Sequence, residues 1–307
     1  MSDKESPFVS VIIPVYNQAE PLQRCLAALE QQTYPRSQFE IIVVDNVSDD
    51  FEAIAAATSS YSNVKLTQEI MPGSYAARNQ GITLASGEVL AFTDADCVPA
   101  TNWLGEGVYQ LTQQPNCGQV VGAVEVFFVN PSQPTPIELF ERVTAFPQAQ
   151  LLAQLHGGAT ANIFTWRTVI DTVGLFDPQL KSNGDLEWGQ RVHAKGYQQI
   201  YADSVRVRHP ARTSWPELAM RTRRLVGGQY ERQLKTASSP WQRHQVFVQN
   251  FLFHLMPPVF FAMSTLRDRR LKGLNQKLTV VRVMIFVRAV GAWEMLRLKS
   301  GAAARRT

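Results

Sequence analysis

The chain has 307 residues, 45% hydrophobic and 18% charged, which supplies a large buried core and excludes an intrinsically disordered chain. Its three cysteines, Cys25, Cys97 and Cys117, form an odd set that excludes a disulfide framework and argues for the cytoplasm. The net charge of +4 conceals a division: residues 1–204 hold 10 Lys and Arg against 22 Asp and Glu (net −12), and residues 205–307 hold 20 against 4 (net +16). An acidic body suits a divalent cation, and a basic end suits a phosphate-bearing partner. The N-terminal "MSDKESPFVSVIIPVYN" has no basic stretch followed by an apolar one, so no signal peptide is expected.

"FVSVIIPV" (8–15) and "EIIVVDN" (40–46) are short β-branched runs of the kind found in strands buried on both faces of a parallel sheet. Between them Leu22, Cys25, Leu26 and Leu29 recur at helical spacing, with Pro21 in the first turn, which predicts a βαβ unit with a right-handed crossover. A helix near 50–61, a strand at 64–68, a helix near 75–85 and a strand at 88–94 continue the alternation. The first hundred residues therefore read as a doubly wound α/β nucleotide-binding domain. Beyond residue 115 the pattern predicts a strand in "GQVVGAVEVFFV", one helix over 136–155 and a strand in "GGATANIFTWR". A short helix in "GDLEWGQRVHAKGY" and a closing strand in "QIYADSVRVRHP" follow, and from about 213 the chain reads as basic and helical.

The strand at 88–94 runs into "DAD", two carboxylates separated by one residue. In open α/β sheets ligands bind beyond the carboxyl ends of the strands, and residues i and i+2 of an extended chain point the same way. Asp94 and Asp96 can thus share one divalent cation, Mn²⁺ or Mg²⁺, which removes their repulsion and binds substrate phosphates. The ordinary alternative is a solvated acidic turn. The neighbouring strand ends are polar too: "PVYN" (14–17), "VVDNVSDD" (43–50) and the glycine loop "GSYAARNQG" (73–81) carrying Arg78. Helix N-termini with a nearby arginine attract phosphate.

Taken in order, "VSVIIPVYNQAEPLQRCLAALEQQTYP", "EIIVVDNVSDD", "PGSYAARNQGITLASGEVLAFTDADCVP" and "VGLFDPQLKSNGDLEWGQRVHAKGYQQIYADSVRVRH" resemble the inverting nucleotide-sugar glycosyltransferases of family 2, with the GT-A fold. The resemblance covers about residues 8–210. It implies a catalytic domain over 1–212, with a nucleotide-binding half at about 8–115 and an acceptor half at about 116–212. A basic helical region over 213–307 follows. The implied fold class is α/β, a doubly wound, mostly parallel sheet of GT-A (Rossmann-like) type with a C-terminal helical extension. The implied reaction moves a sugar from a nucleotide donor, UDP-linked by preference, to a glycan or lipid-linked acceptor; no nucleic-acid partner is implied.

The resemblance also assigns roles. Pro14, Tyr16 and Asn17 hold the base, with Tyr16 able to stack, and Asp45 hydrogen-bonds it. Arg78 lines the diphosphate region. Asp94 reaches the ribose or the metal, and Asp96 and His209 complete the metal site. Gly157 and Gly158 form the glycine turn that lets backbone approach the donor sugar. Asp185 is the general base that takes the acceptor hydroxyl's proton. The family's usual Glu-Asp pair is here Gly184-Asp185, a departure at the first position. Glu187 is the rival base, and Trp188 is either an acceptor-sugar platform or a core residue. Each role has a plain alternative: Tyr16 a half-buried strand-end aromatic, Asp45 a turn cap, Arg78 a surface helix residue, Asp185 an N-cap.

Two stretches of the basic end are apolar but interrupted: "VFVQNFLFHLMPPVFFAMS" (246–264) by Pro257-Pro258, and "LTVVRVMIFVRAVGAWEMLRL" (278–298) by Arg282, Arg288, Glu294 and Arg297. A central Arg costs about 2.5–3.5 kcal/mol on insertion scales, so neither is expected to span a membrane. The expectation is peripheral contact with an anionic membrane at its inner face, the alternative being helices that pack on the protein. The Gln-x-x-Arg-Trp motif of processive synthases is absent, which points to single-sugar transfer. Rival readings are a nucleotidyltransferase, whose glycine- and lysine-rich N-terminal loop is missing, and a non-catalytic sugar-nucleotide-binding protein. A dehalogenase-type phosphatase carries its DxD on the first strand, not the fourth.

Overall fold

The computed structural model describes residues 6–304. In chain order the elements are β1 (Val9–Val15), α1 (Ala19–Glu30), β2 (Phe39–Asp45), α2 (Phe51–Thr58), β3 (Val64–Gln68), α3 (Ser74–Leu84), β4 (Val89–Thr93), β5 (Val98–Pro99), α4 (Trp103–Gln113) and β6 (Cys117–Phe127). Then follow α5 (Pro136–Thr144), α6 (Gln148–Leu155), β7 (Asn162–Trp166), α7 (Arg167–Val173), α8 (Gly184–Ala194) and β8 (Gln198–Pro210). Four helices close the chain: α9 (Trp215–Thr236), α10 (Pro240–Leu255), α11 (Val259–Arg267) and α12 (Gly273–Lys299).

The strands form one eight-stranded sheet in the order β3-β2-β1-β4-β7-β6-β8-β5. β3, β2, β1 and β4 are parallel, whereas β7 runs antiparallel between β4 and β6. β1, β2 and β4 are buried on both faces except at Pro14, which is why they read as nearly unbroken apolar runs. Leu22, Cys25, Leu26 and Leu29 of α1 are all buried, as the helical spacing requires. The predicted helix over 136–155 is two helices. Residue 145 is extended, Phe146 has a positive φ of 47° and Pro147 precedes α6. A residue before proline is disfavoured in the α region, so the break falls where the sequence forbids continuation.

The chain divides into two compact units. The first comprises the residues up to Glu125, with Phe146–Gln179 and Gly184–His209. The second comprises Val126–Ala145, Leu180–Asn183 and the chain from Pro210 onwards. The first unit's core lies between the sheet and its helices, around Ile13, Leu26, Ile41, Trp103 and Phe164. The second unit is organised around α12, which packs on α5, α9, α10 and α11. Its core holds Phe128, Ile137, Phe140, Leu218, Val280 and Val283. There Glu141, fully buried, is paired with Arg212 at 3.1 Å and Arg221 at 3.9 Å. Of the two interrupted apolar stretches, the one in α12 thus supplies core residues, whereas α10 has no buried residue. Among the described residues no single helix is long and apolar enough to cross a membrane; α10 and α11, bent by 45° at their junction, reach that length only together.

One buried carboxylate ties the parallel strands together. Glu40 of β2 accepts from Ser10 Oγ of β1, Lys65 Nζ of β3, and the N–H and Oγ of Ser86 before β4, each at 2.7 Å. Burial alone would raise its carboxyl, but these donors overcome that and hold it at about 2, down from an ordinary 4.5. A carboxyl depressed in the folded state stabilises the protein above its ordinary value, and the stabilisation is lost as pH falls from about 4.5 towards 2. Glu40→Gln should lower the unfolding free energy at pH 7 by about 1–3 kcal/mol. It should also flatten the fall in stability between pH 5 and 2, measured by urea denaturation across that range.

Candidate active site

The parallel strands deliver their carboxyl ends to one edge of the sheet. β1 ends into Tyr16 and Asn17, β2 ends at Asp45, and β4 ends at Thr93, just before Asp94. β7 is antiparallel and pairs Asn162 with Thr93, so the loop entering it, residues 157–161, comes to the same edge. β8 pairs Arg208 with Val98, which brings His209 across from the end of the "DAD" turn.

The expected metal residues do meet. His209 Nε2 lies 3.3 Å from Asp96 Oδ2, and Gln18 Nε2 reaches the same oxygen at 3.5 Å. Ligand atoms of Asp94, Asp96 and Cys97 lie within 4.8 Å of one another. Carboxylate oxygens with an imidazole nitrogen fit Mn²⁺ or Mg²⁺. Burial and the charges of Asp94 and Asp96 push the neighbouring Cys97 thiol up, and these hard cations prefer the carboxylate oxygens to sulfur. The His209 ring is braced by Phe146, 4.7 Å between centroids, the residue whose positive φ breaks α5 from α6.

Arg78 is not a surface arginine. It is 3% exposed on α3, its guanidinium is bonded to Asp94, and its Nε has no partner. It also lies over the Tyr75 ring, 5.9 Å from the centroid. Asp185 sits in the first turn of α8. Its Oδ1 accepts from the Leu186 N–H at 3.0 Å and from the Tyr75 hydroxyl at 3.3 Å, and its Oδ2 from the Thr160 N–H at 3.3 Å. Burial raises this carboxyl above its ordinary value, opposed by Arg78 and by the N–H donors of Leu186 and Thr160. A carboxylate raised in this way is a stronger base.

At the base-binding end, Tyr16 is 45% exposed, free to present its ring. Asn17, with φ 53°, exchanges two 2.8 Å hydrogen bonds with Asp49 and donates its N–H to Ser48 Oγ, so its amide shapes the loop. Asp45 is fully buried and accepts from Ser48 N and Gln68 Nε2.

The structure corrects the platform reading of Trp188 and shows the surroundings of Glu187, Gly157 and Gly158. Trp188 is fully buried, donates its indole N–H to Gly174 O at 2.9 Å and packs 5.4 Å from the Phe176 ring. No face is left for a sugar, so the acceptor-platform reading fails and the core reading holds. Glu187 is held in a two-point ion pair by Arg191, which also donates to Val173 O and Leu175 O. At Gly158 a Cβ would lie 2.4 Å from Val121 Cγ1, so packing against β6 by itself requires glycine there. Gly157 is likewise pressed against Leu186. The sequence reading did not identify Tyr75, Thr160 or Gln18 as site residues. The absence of a side chain at 184 was the one trace of Tyr75 in the sequence.

Comparison with known proteins decides among the remaining readings. Residues 10–174 match the profile of glycosyl transferase family 2. The glycosyltransferase AglE of Haloferax volcanii is 40% identical over 228 residues, 73% of this chain and 74% of that one. The UDP-Glc:alpha-D-GlcNAc-diphosphoundecaprenol beta-1,3-glucosyltransferase WfgD of Escherichia coli is 34% identical over 97 residues, 31% of this chain and 38% of that one. The structure of mannosyltransferase PcManGT from Pyrobaculum calidifontis, in complex with GDP-Man and Mn²⁺, superposes with a TM-score of 0.63. That match is 20% identical and covers 97% of this chain and 89% of that one. The chain belongs to glycosyltransferase family 2 and has the GT-A fold. It is a glycosyltransferase, which sets aside the nucleotidyltransferase and non-catalytic readings.

The correction at Trp188 is testable. Trp188→Ala should cost about 3–5 kcal/mol of stability, as expected for emptying a core aromatic site, whereas a sugar platform would show a raised acceptor KM at unchanged thermal midpoint.

Proposed function

We propose that the protein is a metal-dependent inverting glycosyltransferase that moves a sugar from a nucleoside-diphosphate donor, UDP-linked by preference, to a glycan or lipid-linked acceptor. One observation carries this reading. Arg78 is bonded to Asp94, lies over Tyr75 and acts on the charge of Asp185, so the metal carboxylates and the candidate base are joined through one buried cation.

In this reading Asp94, Asp96 and His209 hold Mn²⁺ or Mg²⁺, which when bound neutralises the departing diphosphate. Tyr16 stacks on the base, with Pro14, Asn17 and Asp45 shaping its pocket. Arg78 fixes Asp94 for the ribose or the metal. Asp185 accepts the acceptor hydroxyl's proton as its oxygen forms the new bond to the anomeric carbon. The bond from that carbon to the diphosphate oxygen breaks, the leaving electrons stay on the diphosphate, and the configuration inverts. The fold-level neighbour's complex with GDP-Man and Mn²⁺, and the UDP-Glc in the bacterial relative's name, support a nucleoside-diphosphate donor.

The paired test uses UDP-glucose and GDP-mannose with Mn²⁺, following release of nucleoside diphosphate. Asp96→Asn should abolish turnover and Mn²⁺-dependent nucleotide binding together. Asp185→Asn should cut turnover by roughly 10²–10⁴ with donor affinity nearly intact. Full Mn²⁺-dependent binding in the Asp96 variant would remove that residue from the metal set.

The proposed site of action is the cytoplasmic face of an anionic membrane, touched by the α10–α11 pair. Leu252, Phe253, Met256, Val259, Phe260 and Met263 are exposed along it, and Phe260 is 90% exposed. Arg243, Arg267, Arg269, Arg270 and Lys272 are exposed around it. Each cation near such a surface adds about 1 kcal/mol at low salt. The lipid-linked acceptor in the bacterial relative's name fits this placement. The protein should co-sediment with phosphatidylserine-containing vesicles and release partly at high salt. Phe260→Glu should weaken that binding without changing the thermal midpoint, since the ring packs on almost nothing.

A further inference from the structure

The family's Glu-Asp pair lacks its Glu here, and the structure shows what stands in that volume. A Cβ built on Gly184 would lie 2.7 Å from Cε2 and 2.9 Å from Cζ of Tyr75. Tyr75 enters from the second position of α3, 109 residues away in sequence, and is 7% exposed. Its ring is stacked on Phe176, 6.0 Å between centroids, so it cannot swing aside. The Gly184 N–H donates to the Tyr75 hydroxyl at 2.9 Å. With that lone pair occupied, the hydroxyl's own proton is directed to Asp185 Oδ1, 3.3 Å away.

We infer that Tyr75 is the positioning residue for Asp185, its hydroxyl filling the place of the absent carboxylate at 184 and holding the base in one orientation for the acceptor hydroxyl. This rests on the reading of Asp185 as the base. Burial and the nearby Asp185 charge push the Tyr75 phenol well above its ordinary value, so it remains a neutral O–H donor wherever the enzyme works. The other groups facing Asp185 are Arg78 from α3, the Thr160 N–H from the loop before β7, and the Leu186 N–H of its own helix. Glu187 and Arg191, also on α8, are paired to each other. Tyr75 therefore supplies the one side-chain hydrogen bond to the carboxylate among the described residues. Such a bond favours the charged form, and removing it raises the pKa. Gly184 is then obligatory beside Tyr75, because any side chain there meets the ring.

Tyr75→Phe isolates the hydroxyl, since the ring, its stacking and the filled space at 184 are kept. Two readouts apply. The Asp185 carboxyl is followed by ¹³C NMR through a pH titration, assigned by loss of its signal in Asp185→Asn. Nucleoside-diphosphate release from UDP-glucose and GDP-mannose with Mn²⁺ is measured against pH. The expected result is a raised Asp185 pKa, an acid limb of kcat displaced upward, and kcat lowered by about 10–100-fold at nearly unchanged donor KM, the range of a hydrogen bond to a charged group. Rescue gives a second arm. Tyr75→Ala should lose turnover, and Tyr75→Ala combined with Gly184→Glu should recover part of it by restoring a carboxylate to the vacated volume. Gly184→Glu alone, facing the intact ring, should not retain full turnover. An unshifted Asp185 titration and unchanged kcat in Tyr75→Phe would overturn the inference. If Asp185→Asn itself keeps full turnover, the base reading is what fails, and the NMR titration still reports whether Tyr75 holds the carboxylate.

Discussion

Three carboxylates, Asp94, Asp96 and Asp185, are needed on one edge of this sheet, and carboxylates brought together in a partly buried site repel. Arg78 is the constraint that makes the arrangement tolerable. It is almost wholly buried, bonded to Asp94, and its charge opposes the desolvation of Asp185. A buried charge is costly unless paired, and removing one partner leaves the other stranded. The helix that carries Arg78 must begin where the strands end, which is why the loop after β3 turns through Gly73 at φ 128° directly into α3.

The same helix then does a second task one turn away. Tyr75 and Arg78 lie three residues apart, hence on one face, and that face looks across to the start of α8. Arg78 handles Asp94, and Tyr75 handles Asp185. In the proposed mechanism the donor end and the base end would therefore be set by one rigid element, which fixes their separation better than two independent loops would. The antiparallel strand β7 adds the third support, because its reversed direction brings the Thr160 N–H to the edge where the parallel strands terminate.

The basic C-terminal third has a different economy. In the second unit, Glu141 and Glu294 are fully buried and neutralised by Arg212, Arg221 and Arg297, so part of the positive charge is structural. What remains is exposed around α10 and α11, whose apolar residues find little cover. The apolar stretch of α12 carries four charges, Arg282, Arg288, Glu294 and Arg297, yet its Val280, Val283 and Met295 are core. Apolar content alone did not distinguish these two helices; the distinction lies in which one has neighbours on its apolar positions.

The sequence by itself determined the α/β alternation, the parallel character of the first half of the sheet and the Asp94–Asp96 pair after the fourth strand, while Asp185 and His209 come from the family resemblance. The alternation and the Asp94–Asp96 pair are written in local periodicity and in a short motif at a strand end, where neighbours along the chain are neighbours in space. Pro147 stands at the break between α5 and α6, which the expectation of one helix over 136–155 passed over. The tertiary structure decided the rest. Trp188 is followed by nothing in the sequence that tells a sugar platform from a core residue; only its packing with Phe176 and its bond to Gly174 do. Glycine at 158 could serve a ligand or a neighbour, and Val121 occupies the space. Gly184 read as a missing carboxylate, while the group that fills its place lies 109 residues earlier on another helix. Contacts at that range depend on how the sheet and its helices pack, and a single sequence carries no periodic signal for them.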